Sequence, residues 1–138
     1  MTPEQVELVK STWKMILPIA DTAADLFYGK LFELDPEVRA LFDDDMAKQK
    51  KALMAMIGNA VASLHQIESI VPTVQQLGVR HVGYGAIEGH YATVGEALLW
   101  TLEQGLREAW TPEVKAAWVE TYTILSTTML DAARAEAA

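Results

Sequence analysis

Apolar residues recur along this chain at steps of three and four, the period of an amphipathic helix, almost from end to end. Val6, Val9, Trp13 and Ile16 form the first stripe. Before it stands Thr2-Pro3-Glu4-Gln5, with Thr as N-cap, Pro at the first helical position and Gln spaced to close a capping box. Pro18 predicts its end. Ala20, Ala24, Phe27 and Leu31 make a second stripe that stops near Asp35-Pro36-Glu37, where Asp35 is placed to cap a short third helix carrying Val38, Leu41 and Phe42. Asp43-Asp44-Asp45 follows. Without the Gly and distal Glu of an EF-hand loop, it reads as a solvated corner that caps the next helix.

From about Met46 the pattern resumes, with Leu53, Ile57, Ala60 and Leu64 on one face and Lys48, Lys50 and Lys51 in the first turns. Gly58 suits close approach of another helix. Ile70 to about Glu88 is helical by pattern but carries Pro72, Gly78, Gly83 and Gly85, which predicts a short, loosely wound helix pair. Val94, Leu98, Thr101 or Leu102, and Gly105 give a further stripe ending between Leu106 and Trp110. Thr111-Pro112-Glu113 repeats the opening cap grammar ahead of Val114, Trp118, Tyr122, Leu125 and Met129. No period-two alternation or hairpin dipeptide occurs. The sum is one all-α domain, residues 1–138, of six or seven helices.

Composition narrows the chemistry. At 138 residues, 51% of them hydrophobic and 22% charged, the chain is globular rather than disordered. A net charge of -8 repels nucleic acid and anionic lipid, so neither is an expected partner. Cysteine is absent, which removes disulfides, thiolate catalysis and iron–sulfur ligation and leaves nitrogen or oxygen to hold any metal. The N-terminus lacks a signal-peptide pattern. The longest uncharged stretch, Ala52 to Ile67, is shorter than the roughly 20 residues of a membrane span. A soluble, cytoplasmic protein is expected. Neither a phosphate-binding loop nor His-Glu-x-x-His is present, and Gly83-Tyr84-Gly85 has no preceding strand to make it a dinucleotide fingerprint.

Imidazole chemistry has three candidates. His65 lies near a helix end among Ser63 and Gln66, and His90 at a helix boundary before Tyr91; both read as structural, the second as a cap or a solvent-facing side chain. His81 differs. It projects from Leu77-Gly78-Val79-Arg80-His81-Val82-Gly83-Tyr84-Gly85, where glycines let the backbone approach a flat group closely.

These blocks together resemble the globins, specifically neuroglobin-like single-domain bacterial globins and the haem domain of flavohaemoglobins. Leu77-Gly78-x-Arg80-His81-x-x-Tyr84-Gly85, then His90-Tyr91-x-x-Val94-Gly95-Glu96-x-Leu98-Leu99, looks like the family's proximal helix and its successor. Thr111-Pro112-Glu113-x-x-x-Ala117-Trp118-x-x-x-Tyr122 looks like its final helix, and Leu31-Phe32-x-x-x-Pro36 with Leu41-Phe42 like its corner. The resemblance implies a globin fold, a three-over-three helical sandwich around a haem pocket. It further implies haem b contacted by Phe42, Leu53, His81, Tyr84, Tyr91 and Val94, with His81 as the iron ligand. On the distal side it implies Tyr28, Gln49 and Leu53. By their own chemistry, Tyr28 could equally fill space beside Phe27, and Gln49 within Lys48-Gln49-Lys50-Lys51 reads as exposed; Gln49 and Leu53, four apart, share a helix face.

Bound O2 carries negative charge and CO much less, so Tyr and Gln donors favour O2 and slow its release. No His stands at position 49, and a five-coordinate ferrous form follows from the resemblance. Tyr91 matches a flavohaemoglobin Tyr on the proximal side, whereas that family's proximal Glu falls on Ala133, with Asp131 and Glu136 out of register. Three functions are compatible. The first is reversible, high-affinity O2 binding for storage, transport or scavenging, by a monomer or weak homo-oligomer that also takes CO and NO. The second is nitric oxide dioxygenation with a separate reductase, for want of room for one in the chain. The third is a haem-free interaction or sensor domain.

Overall fold

The computed structural model describes residues 1–83, 85–86 and 88–137. Six α-helices carry the fold: α1 (Pro3–Ile16), α2 (Ala20–Leu34), α3 (Ala47–Ala62), α4 (Val71–Gly83), α5 (Glu88–Leu106) and α6 (Pro112–Ala137). Short 3-10 turns join them, the longest at Pro36–Leu41 and Leu64–Ser69. There is no strand among the described residues. The helices form a three-over-three sandwich in which α6 packs on α4 and α1, and α2 on α5 and α3. No described helix is long and apolar enough to cross a membrane.

Local chemistry explains the helix starts. The Thr2 hydroxyl accepts from the Gln5 amide at 3.1 Å while the Gln5 side chain accepts from the Thr2 amide at 2.9 Å, closing the predicted capping box. Thr111 accepts from the Val114 amide at 3.2 Å. Asp45 accepts from that of Ala47 at 3.0 Å, but it stands one residue before the N-cap of α3, Met46, which makes no side-chain cap bond, so the acidic corner supports the helix start without capping it. Asp35 departs from expectation. It occupies the N-cap position of the Pro36–Leu41 turn but makes no side-chain cap bond. Packing of α2 on α5 instead brings His90 beside it, with Nε2 3.9 Å from Oδ2, so His90 is a half-buried partner of Asp35 and not a cap or a solvated side chain.

Residues 70–88 also differ from the expected helix pair, because Val71–Gly83 is one helix. Pro72 falls in its first turn, where a missing N–H is harmless. Gly78 serves contact with α6 and does not break the helix: a Cβ there would stand 2.7 Å from Met129 Cα. Gly58, by contrast, would bring a Cβ only to 3.5 Å from Trp13 Nε1, an ordinary contact. The closest helix approach therefore falls at Gly78. Gly85, at φ 89°, makes the turn after α4.

Two apolar clusters result. The first centres on Val9, Trp13, Ile16, Leu102, Leu106, Ala117 and Trp118. Trp118 Nε1 donates to Thr12 Oγ1 at 2.9 Å, and Thr12 donates in turn to the Leu8 carbonyl at 2.6 Å. No described buried side-chain polar atom lacks a partner. The second cluster comprises Phe27, Tyr28, Leu31, Val38 and Ala97, with Phe32, Phe42, Leu53, Val94 and Leu98 packed around it and only partly buried. Met54 packs on the first cluster and Met46 on the second, where a flexible thioether side chain fills irregular gaps.

Candidate functional site

The second cluster is built from α2, the Pro36–Leu41 turn, α3 and α5. α3 is held by α2 and α1, α4 by α6, and α3 and α4 do not pack closely on one another. Leu53 and Val94, strongly apolar members of the cluster's outer layer, stay partly exposed. Such incompletely covered apolar walls suit a bound apolar group, since burial of these side chains is favoured by about 25 cal/mol per Å².

On the α3 side the structure brings the expected pair together. Tyr28 is buried at 4% exposure, and its hydroxyl oxygen accepts a hydrogen bond of 3.0 Å from Gln49 Nε2. The phenol proton is thereby left to donate elsewhere, because the Gln49 amide already occupies the oxygen as donor. Burial pushes the Tyr28 phenol above its ordinary pKa, more than the Gln49 bond lowers it, so the group is a neutral donor at physiological pH. Gln49 is exposed as a residue and still reaches this buried oxygen, which is why sequence alone reads it as surface. Leu53, one turn on, packs on the same cluster.

Aromatic packing fixes the phenol. Phe27 meets Tyr28 edge-on at 4.9 Å between centroids and Phe42 does so at 5.6 Å, while Phe32 lies 5.9 Å away. Phe42, half-buried, thus packs directly against the phenol. Lys50, next to Gln49, pairs with Asp25 at 2.8 Å, a tie between α3 and α2 that sequence reasoning did not find. The two residues are distant in sequence and each looks like an ordinary surface charge.

On the α4 side His81 is half-buried, and its Nδ1 lies 2.5 Å from the Leu77 carbonyl. A carbonyl can only accept, so Nδ1 donates to it, and ligation of a metal would fall to Nε2. The residue types fit haem: one imidazole from α4, two polar donors from α2 and α3, and the apolar side chains of the second cluster. Among the described residues no group of three or more His, Asp and Glu could hold a bare metal ion.

Tyr91 is half-buried, and burial raises its pKa. It shares a cavity of about 300 Å³ with Val82, Ala86, Leu130 and Ala133, and the exposed Glu88–Arg134 pair, 2.7 Å apart, stands at the edge. Ala133 lines the same cavity as Tyr91 and brings no carboxylate to it. Tyr122, which sequence reasoning placed on the apolar stripe and in the final-helix motif without a polar role, donates to the Tyr91 carbonyl at 2.5 Å with its ring against Gly95. Val94 packs on the second cluster. Tyr84 lies outside the described residues.

Known proteins resemble this chain in both sequence and fold. The family described as Globin matches residues 25–129. The chain is 31% identical over 124 residues to a flavohemoprotein of Bacillus subtilis, covering 88% of this chain and 31% of that protein. It is 27% identical to a protein of Physcomitrium patens named anaerobic nitrite reductase, covering 89% of this chain and 77% of the other. The chain therefore spans about a third of the flavohemoproteins it matches. In fold it superposes on a bacterial globin of Campylobacter jejuni with TM-score 0.87 at 24% identity, covering 99% of both chains. A hexacoordinated heme protein from a tardigrade gives the same score at 16% identity, over 97% of this chain and 96% of that one.

Proposed function

Because the chain belongs to the globin family, we propose that it holds haem b through His81 Nε2 and binds O2 reversibly and tightly at a five-coordinate ferrous centre. Haem, when bound, supplies an open coordination position for small diatomic ligands. Tyr28 then donates its phenol proton to the ligand, and Gln49 holds the phenol oxygen in place while keeping a second amide N–H for the same purpose. Leu53, Phe42 and Val94 keep water from the ligand, which strengthens both donors in a low-dielectric site. The observation that carries this reading is the 3.0 Å Gln49–Tyr28 bond on a buried, neutral phenol.

A donor to a charged ligand is worth about 1.5–3 kcal/mol, so Tyr28→Phe should speed O2 dissociation roughly 10- to 100-fold and leave CO release nearly unchanged. Stopped-flow displacement of O2 by CO measures the first rate. An unchanged O2 rate refutes the role of Tyr28, and a six-coordinate optical spectrum of the unliganded ferrous protein refutes the open site.

The likeness to flavohemoproteins favours a second reading, nitric oxide dioxygenase activity that yields nitrate. Sustained turnover there needs electrons from a reductase. Steady NO consumption driven by NADH and a flavin reductase supports it; a single turnover that stalls in the ferric state rejects it.

A further inference from the structure

We propose that Arg39 is a positioning residue for the distal site, clamping the corner at residues 42–45 and so fixing Phe42 and Gln49 relative to Tyr28. The proposal rests on the oxygen-holding reading for its functional effect. Its structural basis is one guanidinium shared among three successive carbonyls: Arg39 Nη1 donates to Phe42 O at 3.2 Å and Asp43 O at 2.9 Å, and Nη2 to Asp44 O at 3.2 Å. The Phe42 amide returns a bond to the Arg39 carbonyl at 3.2 Å, so the turn is tied in both directions. The same guanidinium lies 5.4 Å from the Phe32 ring centroid, and Phe32 stands 5.8 Å from Phe42 and 5.9 Å from Tyr28.

Downstream, the Ala47 amide donates to Asp45 at 3.0 Å, and the Lys50 amide bonds the Met46 carbonyl at 2.9 Å, so the start of α3 follows directly from the clamped segment. Gln49 sits in that first turn. Residues 43–45 are exposed and carry three carboxylates that repel one another, and a corner of that kind needs an internal tie to hold one shape. Arginine suits the task because its planar fork presents fixed, divergent donors; a lysine ammonium is a point donor on a flexible stem.

The test uses Arg39→Met and Arg39→Lys in the full chain. Hydrogen exchange of the haem-free protein should rise about tenfold at amides 42–47 in Arg39→Met, with α5 and α6 unchanged and Arg39→Lys intermediate. In the haem-loaded protein the C–O stretching band of the CO form should broaden or split, and O2 dissociation should rise several-fold. Unchanged exchange at 42–47 overturns the proposal, as does an equal rise across every helix, which is global destabilisation. If Arg39→Met does not fold, Arg39→Lys decides by the same criteria. Fast O2 release by the unmodified protein would refute the oxygen-holding reading, while the exchange measurement still judges the clamp.

Discussion

The packing of α1 on α6 and the cluster around Tyr28 are both lined by aromatic and branched apolar side chains, yet they are finished to different degrees. Around Trp13 and Trp118 the chain completes its own core: Trp118 is 1% exposed, and its one polar atom ends on Thr12, which ends on the Leu8 carbonyl. Around Tyr28 the walls stop short. Leu53, Val94 and Phe42 stay partly exposed, and the polar atoms form a chain, Gln49 to Tyr28, that ends on a hydroxyl able to donate in turn. The first polar chain is closed on the backbone, and the second leaves a donor over for a bound group.

This contrast can be broken from either side. The largest effect is expected from His81→Gly, which should abolish haem retention while helical circular dichroism persists, with added imidazole restoring the haem spectrum. Retention of haem without imidazole would mean that His81 is not the ligand. Trp118→Ala should lower stability by about 3–5 kcal/mol by chemical denaturation, and leave the CO spectrum of the remaining folded protein unchanged. A shifted spectrum would show that the two regions are coupled.

Alkaline titration comes next. Burial raises the pKa of Tyr28, Tyr91 and Tyr122 above the ordinary value near 10, Tyr122 furthest, and Tyr122 donates its bond only when protonated. Folded-state values above the unfolded one mean that the stabilisation is fully present below about pH 10 and is lost as pH climbs through the raised values. Melting temperature should therefore fall above about pH 10, more gently in Tyr122→Phe. An equal slope in that variant would remove Tyr122 from the account. The smallest effect is expected at Asp25→Asn, which breaks a partly exposed pair worth about 0.2–1 kcal/mol. O2 dissociation should rise less than about fivefold, and high salt should erase the difference.

Where the fold follows from local rules, it could be read directly: Thr2 and Thr111 cap their helices, and the stripes through Trp13 and Trp118 meet in one core. The single helix Val71–Gly83 was obscured because a glycine that permits close packing and one that breaks a helix look alike until the neighbouring helix is in place. The site was legible chiefly through resemblance. His81 stands out by its glycine-rich surroundings, whereas Tyr28 reads equally as core filler beside Phe27, and Gln49 is an exposed residue that becomes informative only when α3 crosses α2. Arg39 and Asp25 gave no signal, and Tyr122 none of its polar role, since each acts through a partner that only the tertiary structure brings near.

The seat of α4 on α6 has a consequence for anyone diversifying this protein. A randomised codon at position 78 should return glycine alone among folded clones, because any Cβ collides with the Met129 backbone, which cannot rotate away as a side chain could. Codons 83 and 89, where nothing lies within 4 Å of an added Cβ, should accept many residues. Helix α4 is therefore open to tuning at its far end, Gly83, and closed at its middle, Gly78.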